Sequence, residues 1–314
     1  MTRPVHLGLD VGGTASRWVA CDEAGEVLAR GKTPGATGHI FNPAERERLA
    51  GTIAQIAAEL AASGLAPRSL AAGLTGYGSA VAAETTFLLG ATFGLAPEAI
   101  ILTDDIVLAY MAGFAPGEGH LVSAGTGSIG LHLGEGDAYV RVGGRGILID
   151  DAGSGSWIAL RALDAMYRAL DHTGSFAPVQ LLAQQVLAAV GGAEWHDVRQ
   201  FVYAGDRGRI GSLAVAVASA AGQGDHTALS ILARSGIELA QLARALIARV
   251  GDRPIGFAGG VLTLHPIIVE TIRRELAGHE VRLANGDAAL AAAQLQTQSD
   301  PRWRQVLASR SSIS

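Results

Sequence analysis

The hydrophobic pattern of the first 115 residues predicts a strand meander followed by alternating helices and strands. Short β-prone runs at His6–Asp10, Ser16–Cys21 and Glu26–Ala29 are joined by glycine-containing turns, which is typical of three antiparallel strands. Apolar residues then recur at helical spacing between positions 44 and 63. A strand, a helix, a strand and a helix are expected next, at Leu70–Leu74, Val81–Leu89, Ile100–Thr103 and Ile106–Ala112. This order predicts a partly parallel sheet with helices on its faces.

The same pattern begins again at Gly119. Three β-prone runs follow one another, at Leu121–Ser123, Ile129–Leu133 and Ala138–Val142. Helical patterns dominate residues 156–249, and strands and helices alternate again toward the end of the chain. A second meander with the same turn chemistry indicates an internal duplication. We therefore predict an α/β protein with a duplicated βββαβαβα core, divided into domains 1–115 and 116–314. The second domain would carry the helical insertion, and a C-terminal helix, about 287–298, could complete the first.

Composition and charge exclude several classes of protein. The 314 residues are 49% hydrophobic and 17% charged, enough to give two domains a core each. The net charge is −5 and no basic run is present, so a small-molecule partner is expected and no nucleic acid. Because no segment resembles a signal peptide or a membrane span, we expect a cytoplasmic protein that binds no membrane. A homodimer is compatible with these features. The single cysteine, Cys21, excludes an intrachain disulfide.

Two glycine-threonine turns are candidate phosphate sites. One runs through Asp10, Gly12, Gly13 and Thr14, and the other, Gly125-Thr126-Gly127-Ser128, occupies the matching place in the repeat. Glycines allow backbone N–H groups to approach a phosphate, and Asp10 could hold a hydrated Mg²⁺. Either turn alone could be an ordinary glycine hairpin, whereas the pair favours a nucleoside triphosphate. With one lysine, Lys32, and no Gly-x-x-x-x-Gly-Lys-Ser/Thr run, a Walker-type cradle is excluded.

Two adjacent carboxylates, Asp104 and Asp105, end the predicted strand at Ile100–Thr103. They should lie at the edge where open α/β sheets bind ligands. A carboxylate there can accept a proton from a sugar hydroxyl that attacks the γ-phosphorus of ATP. Alternatively, one of them caps the following helix, and the two roles are compatible.

The segment Gly143–Gly155 is dense in glycine and carries two carboxylates, Asp150 and Asp151. It could be a long loop between domains. It could also bind a sugar, since carboxylates accept paired hydrogen bonds from neighbouring hydroxyls.

Together these motifs resemble those of the BadF/BadG/BcrA/BcrD ATPase family. The matching segments are Asp10-x-Gly-Gly-Thr14, Thr103-Asp104-Asp105, Gly125-Thr126-Gly127-Ser128, Gly143-Gly144-x-Gly146, Asp151-x-Gly-Ser-Gly155-x-Trp157 and Ala258-Gly259-Gly260. They span nearly the whole chain in the family's order. Within the family, the segment Gly143–Gly155 is most similar to that of N-acetylglucosamine kinases. The resemblance implies two ribonuclease H-like (actin-like ATPase) domains with an interdomain cleft, and ATP and Mg²⁺ as cofactors.

The resemblance also implies residue roles. Asp105 would be the catalytic base, Thr14 and Thr126 would meet ATP with their turns, and Gly259 and Gly260 would lie against the nucleoside. A further set would line the sugar with Asp105: Gly38, His39, Gly143, Gly144, Arg145, Asp150 and Asp151.

Several of these positions depart from the family pattern. Arg145 stands where tryptophan is common, Asp150 replaces glycine, Ala152 replaces glutamate, and Gly38 replaces an asparagine. The implied reaction is phosphorylation of an amino sugar, N-acetylglucosamine to its 6-phosphate, with glucosamine as the alternative. Arg145 would repel the ammonium of glucosamine, whereas Asp150 would attract it.

Two other functions are compatible with parts of the pattern. The same family includes ATPase activators of acyl-CoA dehydratases, which hold an iron–sulfur cluster between subunits with cysteines. This chain offers only Cys21 for such a cluster. A nucleotide-dependent sensor or scaffold would bind without phosphorylating. A repressor-type relative would carry a helix-turn-helix and a cysteine-rich zinc motif, and the sequence contains neither.

Overall fold

The computed structural model describes residues 2–136, 138–205, 207–284, 286–297 and 300–311. Its contacts divide the chain into two compact units. Unit 1 comprises Met1–Gly119, Leu133–Tyr139 and Ala284–Ser314, and unit 2 comprises His120–His132 and Val140–Leu283. The expected domain limits of 1–115 and 116–314 stay a prediction; by contacts, two later segments belong with unit 1.

The described chain contains two runs of three strands, each followed by helices and further strands. The strands are β1 (Arg3–Val11), β2 (Ala15–Cys21), β3 (Val27–Pro34), β4 (Leu65–Leu74), β5 (Ile100–Asp104), β6 (His120–Ala124), β7 (Ser128–Leu133), β8 (Tyr139–Gly143), β9 (Ile255–Ala258) and β10 (Val281–Leu283). The helices are α1 (Pro43–Ala62), α2 (Ala82–Phe93), α3 (Asp105–Met111), α4 (Gly155–Thr173), α5 (Gln180–Val190), α6 (Trp195–Tyr203), α7 (Arg207–Gly222), α8 (His226–Val250), α9 (Pro266–Glu275), α10 (Ala288–Ala293) and α11 (Arg302–Ser311). None of these helices combines the length and the apolar character needed to cross a bilayer.

The sheet of unit 1 has the strand order β3-β2-β1-β4-β5. Strands β1, β2 and β3 form an antiparallel meander, and β1, β4 and β5 run parallel to one another. Helix α10 packs directly on β1, because a side chain at Gly8 would overlap the backbone of Ala289 and Ala293. A small cluster of Val19, Cys21, Ala289 and Ala293 fills this contact.

The sheet of unit 2 repeats this topology. Its strand order is β10-β9-β6-β7-β8. Read from the β8 end, this is the order of unit 1, with β6 to β10 in the places of β1 to β5. Strand β6 is antiparallel to β7 and parallel to β9, which in turn is parallel to β10. Helices α4, α5, α7 and α8 supply most of its buried core. The duplicated α/β fold predicted from the sequence is confirmed.

Candidate active site

The carboxyl ends of β1, β4 and β5 meet at one edge of the unit 1 sheet. Val11 pairs with Leu74, and Leu74 pairs with Asp104. The residues at or just beyond these strand ends therefore lie side by side. They include Asp10 and Asp105, as the parallel arrangement predicts.

Asp105 is the first residue of α3 and is half-buried. The hydroxyl Oγ1 of Thr75 donates a hydrogen bond to its Oδ2. Asp104 occupies the N-cap position of α3, but its side chain makes no capping hydrogen bond. Asp105 is thus hydrogen-bonded to the residue that follows the neighbouring strand β4.

The half-buried carboxyl group of Asp10 has more negative than positive charge around it. Burial, reinforced by the negative charges of Asp105 and Asp287, raises the pKa of the Asp10 carboxyl from 3.8 to about 6. The guanidinium of Arg17, 3.8 Å away, opposes this effect only in part. A carboxylate that lacks sufficient countercharge suits a hydrated divalent cation, so Asp10 fits the predicted Mg²⁺. Among the described residues, no group of three His, Cys, Asp or Glu side chains forms a complete metal cage.

The turn after β1 leaves Gly13 and Thr14 exposed. Gly12 donates its N–H to Ala15 O at 3.2 Å and accepts from Ala36 N at 3.1 Å. Gly35 must be a glycine, since a Cβ there would overlap the backbone of Gly13. The turn is therefore packed against Gly35 and hydrogen-bonded to Ala36, while Gly13 and Thr14 stay exposed, as a phosphate-binding turn requires.

Gly38 and His39 lie beside the same sheet edge. The N–H of Gly38 donates to Thr75 O at 2.8 Å. The ring of His39 covers Gly76, which has a left-handed φ of 76° and no room for a Cβ beneath that ring. Both predicted sugar residues of unit 1 are thus placed by the segment that follows β4.

The second glycine-threonine turn connects β6 to β7 in unit 2. Its carbonyls accept from the start of α4: Gly155 N donates to Gly125 O at 2.9 Å and Ser156 N to Thr126 O at 3.2 Å. Gly259, with φ of 106°, lies so close to Ala124 that a side chain could not be accommodated. The structure thus brings the pair Gly259-Gly260 next to this turn.

The buried side chain of Asp151 contacts this turn. The residue is 3% exposed and adopts φ of 53°, a left-handed conformation unusual for a residue other than glycine. Its Oδ1 accepts from Ser128 N at 3.4 Å, while Oδ2 has no hydrogen-bond partner among the described residues. Burial raises the pKa of this carboxyl. A Cβ at Gly127 would lie 2.9 Å from Oδ2, so a side chain there would displace the carboxylate.

In the loop before Asp151, Arg145 and Asp150 pair with each other. Asp150 Oδ1 accepts from Arg145 N at 2.7 Å, and its Oδ2 lies 3.0 Å from the Arg145 guanidinium. Gly143, Gly144 and Gly146 have φ of 66°, 69° and 97°, which lets the loop fold back on itself. The two charges, which were expected to have opposite effects on an amino sugar, therefore form one ion pair with each other.

Thr75 lies at this site and was not part of any sequence motif. It is the first residue after β4 and stands at the same edge as Asp105. Its position directly after a buried parallel strand is a signal that could have identified it.

Comparison with known proteins identifies the family of the chain and relatives of its fold. The model of the BadF/BadG/BcrA/BcrD ATPase family matches residues 7–293. A structure from Chromobacterium violaceum, provisionally named N-acetylglucosamine kinase, is 25% identical with a TM-score of 0.74, covering 94% of this chain and 99% of that one. A provisionally named N-acetylglucosamine kinase from Porphyromonas gingivalis shares the fold at 18% identity and a TM-score of 0.70, covering 92% and 97%. A ROK family glucokinase from Streptomyces griseus, in complex with glucose and AMPPNP, shares it at 17% and 0.59, covering 93% and 98%. The search of curated proteins found no match.

Proposed function

Because this chain belongs to the BadF/BadG/BcrA/BcrD ATPase family, we propose that it is an ATP-dependent sugar kinase that phosphorylates the 6-hydroxyl of N-acetylglucosamine. The observation that carries the proposal is the position of Asp105. This carboxylate lies at the carboxyl ends of the parallel strands of unit 1, beside Asp10 and close to the loop that holds Gly38 and His39. A base, a cation ligand and a sugar loop at one edge are the groups that phosphoryl transfer to a hydroxyl needs.

Asp105 is the proposed general base. The oxygen of the sugar hydroxyl bonds to the γ-phosphorus of ATP while the bond from that phosphorus to the β,γ-bridging oxygen breaks. The hydroxyl proton passes to Asp105, and ADP leaves. Asp10 would hold the hydrated Mg²⁺, which when bound supplies positive charge to the phosphates. The backbone N–H groups of the exposed residues Gly13 and Thr14 suit phosphate oxygens, as do those of Thr126 and Gly127 in the turn of unit 2.

N-acetylglucosamine is the proposed sugar. The name of the Chromobacterium violaceum protein, 25% identical over 94% of this chain, favours N-acetylglucosamine. The Arg145–Asp150 pair has no net charge and so gives no strong preference between a neutral acetamide and an ammonium. Glucosamine is therefore the alternative substrate.

A panel of sugars with ATP and Mg²⁺ tests the proposal. N-acetylglucosamine, glucosamine and glucose would be compared by kcat/KM, with the product identified by mass and by position of the phosphate. We expect N-acetylglucosamine 6-phosphate as the main product. A tenfold preference for glucosamine would reassign the substrate, and no transfer to any of these sugars would refute the kinase function.

The two neighbouring aspartates provide a matched pair of variants. Asp105→Asn should lower kcat by about 10²-fold to 10⁴-fold, the usual contribution of a general base. Asp104→Asn changes the same chemical group one residue away and should have a much smaller effect. A larger loss at position 104 would reverse the assignment.

The buried thiol of Cys21 speaks against the dehydratase-activator alternative. Cys21 is 0% exposed, and burial raises its pKa to about 11. Cluster ligation requires an accessible thiolate, which this environment disfavours.

A further inference from the structure

We propose that Thr75 is a positioning residue for the base. Its hydroxyl holds one oxygen of the Asp105 carboxylate so that the other is directed to the acceptor hydroxyl of the sugar. This inference rests on the kinase function proposed above and assigns a role to a residue outside all the motifs discussed so far.

The backbone of Thr75 is fixed from two sides. Its N–H donates to Val11 O at 2.9 Å, one residue beyond Asp10. Its carbonyl accepts from Gly38 N at 2.8 Å, in the loop that carries the predicted sugar residues. Thr75 therefore has little freedom to move independently of either the cation ligand or the sugar loop.

The backbone of Asp105 is fixed as well. The first turn of α3 packs so closely on β4 that a Cβ at Gly73 would lie 3.0 Å from Asp105 Cα and 2.8 Å from the Leu108 side chain. With the main chain held in this way, rotation of the side chain is the remaining freedom of the carboxylate. The hydrogen bond from Thr75 Oγ1 to Oδ2 removes that freedom.

The same hydrogen bond makes the two carboxylate oxygens unequal. Among the described residues, only Oδ2 is hydrogen-bonded, so Oδ1 retains its lone pairs for the substrate. During transfer the sugar O–H proton moves to Oδ1, the sugar oxygen bonds to the γ-phosphorus, and ADP leaves with the electron pair of the broken P–O bond. Thr75 keeps its own proton throughout and acts through the orientation of Asp105.

Three variants test this role in the full-length protein. Thr75→Val keeps the shape and removes the hydroxyl, and Thr75→Ser keeps the hydroxyl and removes a methyl group. Thr92→Val is the matched control, because Thr92 is a half-buried threonine of the same unit whose hydroxyl donates to a helix carbonyl, Leu88 O at 2.9 Å. Each variant would be assayed for kcat, for KM of ATP and sugar, and for thermal unfolding.

We expect Thr75→Val to lower kcat by about 10-fold to 100-fold with both KM values unchanged, since a misoriented base impairs the transition state rather than binding. Thr75→Ser should restore most of that loss, and Thr92→Val should behave as wild type. An unchanged kcat in Thr75→Val, or a Thr75→Ser variant as impaired as Thr75→Val, would overturn the proposal. So would a loss that follows the unfolding temperature in all three variants. Wild-type protein that phosphorylates no sugar would instead refute the kinase function itself.

Discussion

Replacing Asp10 with asparagine should stabilise the metal-free protein above pH 6 while it abolishes turnover. The Asp10 side chain is only 24% exposed, and its ionised form is disfavoured first by burial and then by Asp105 and Asp287. Its pKa rises from 3.8 to about 6, and each tenfold change in proton affinity is equivalent to about 1.4 kcal/mol. The ionised carboxylate should therefore destabilise the fold by up to about 3 kcal/mol, less what the partial access of water relieves.

The raised pKa of Asp10 determines how the stability of the wild type changes with pH. Because the folded protein binds this proton more tightly than the unfolded chain, the wild type should lose stability as the pH rises from about 4 to about 6. The penalty should then be complete and constant above pH 6. Asparagine has no charge to bury, so the variant should match the wild type near pH 4 and exceed it by about 1 to 3 kcal/mol at pH 7.5.

Urea unfolding in EDTA at pH 4.5 and pH 7.5 would measure this difference, with kinase activity followed in parallel. Asp164→Asn is a suitable control, since Asp164 is exposed and pairs on the surface with Arg168. That variant should show no gain in stability at the higher pH. An Asp10→Asn variant less stable than wild type at pH 7.5, or equally displaced at both pH values, would refute the reasoning. Wild-type turnover in that variant would remove Asp10 from the cation site.

Two further substitutions test the packing around the site. Gly8→Ala should destabilise unit 1 by about 1 to 3 kcal/mol in urea unfolding, because its methyl group would overlap the backbone of α10. Gly51→Ala, in a helix with open space at that position, should be neutral or stabilising, and equal effects at the two sites would contradict this packing. Gly127→Ala should raise the KM for ATP, since its Cβ would displace the Asp151 carboxylate beneath the turn. Gly222→Ala, at the end of α7, meets no neighbouring atom and is the control; a Gly127→Ala variant with an unchanged KM would show that Asp151 does not support the turn.

The predictable part of the fold was the part encoded by local pattern. The meanders follow from short β-prone runs and the glycine turns between them, which do not depend on distant contacts. The edge shared by Asp10 and Asp105 was predictable for a related reason. Both residues follow parallel strands, and the carboxyl ends of such strands meet at the same edge.

Contacts between distant parts of the chain were less accessible. The sequence indicated a helix from Asp287, but not that this helix packs against β1 at Gly8. Helix α11 was missed, because Arg302–Ser311 is largely polar and its described buried residues, Trp303, Val306 and Leu307, span little more than one turn. The ring of Trp303 packs edge-on against Tyr110. Three apolar positions at helical spacing are too short a run to distinguish a helix from a polar loop by periodicity alone.

The sequence identified Arg145 and Asp150 as charged residues of the loop, but it did not show where their side chains point. Two opposite charges five residues apart in a glycine-rich loop can face a ligand or each other, and the left-handed φ values of Gly144 and Gly146 bring them together here. The Arg145 side chain is 62% exposed, and such surface pairs are worth less than about 1 kcal/mol. A sugar could therefore separate them at an energy no larger than the 1.4 kcal/mol that corresponds to a tenfold difference in kcat/KM. The preference between N-acetylglucosamine and glucosamine thus depends on terms of the size that the sugar panel resolves, whereas the roles of Asp10 and Asp105 depend on larger ones.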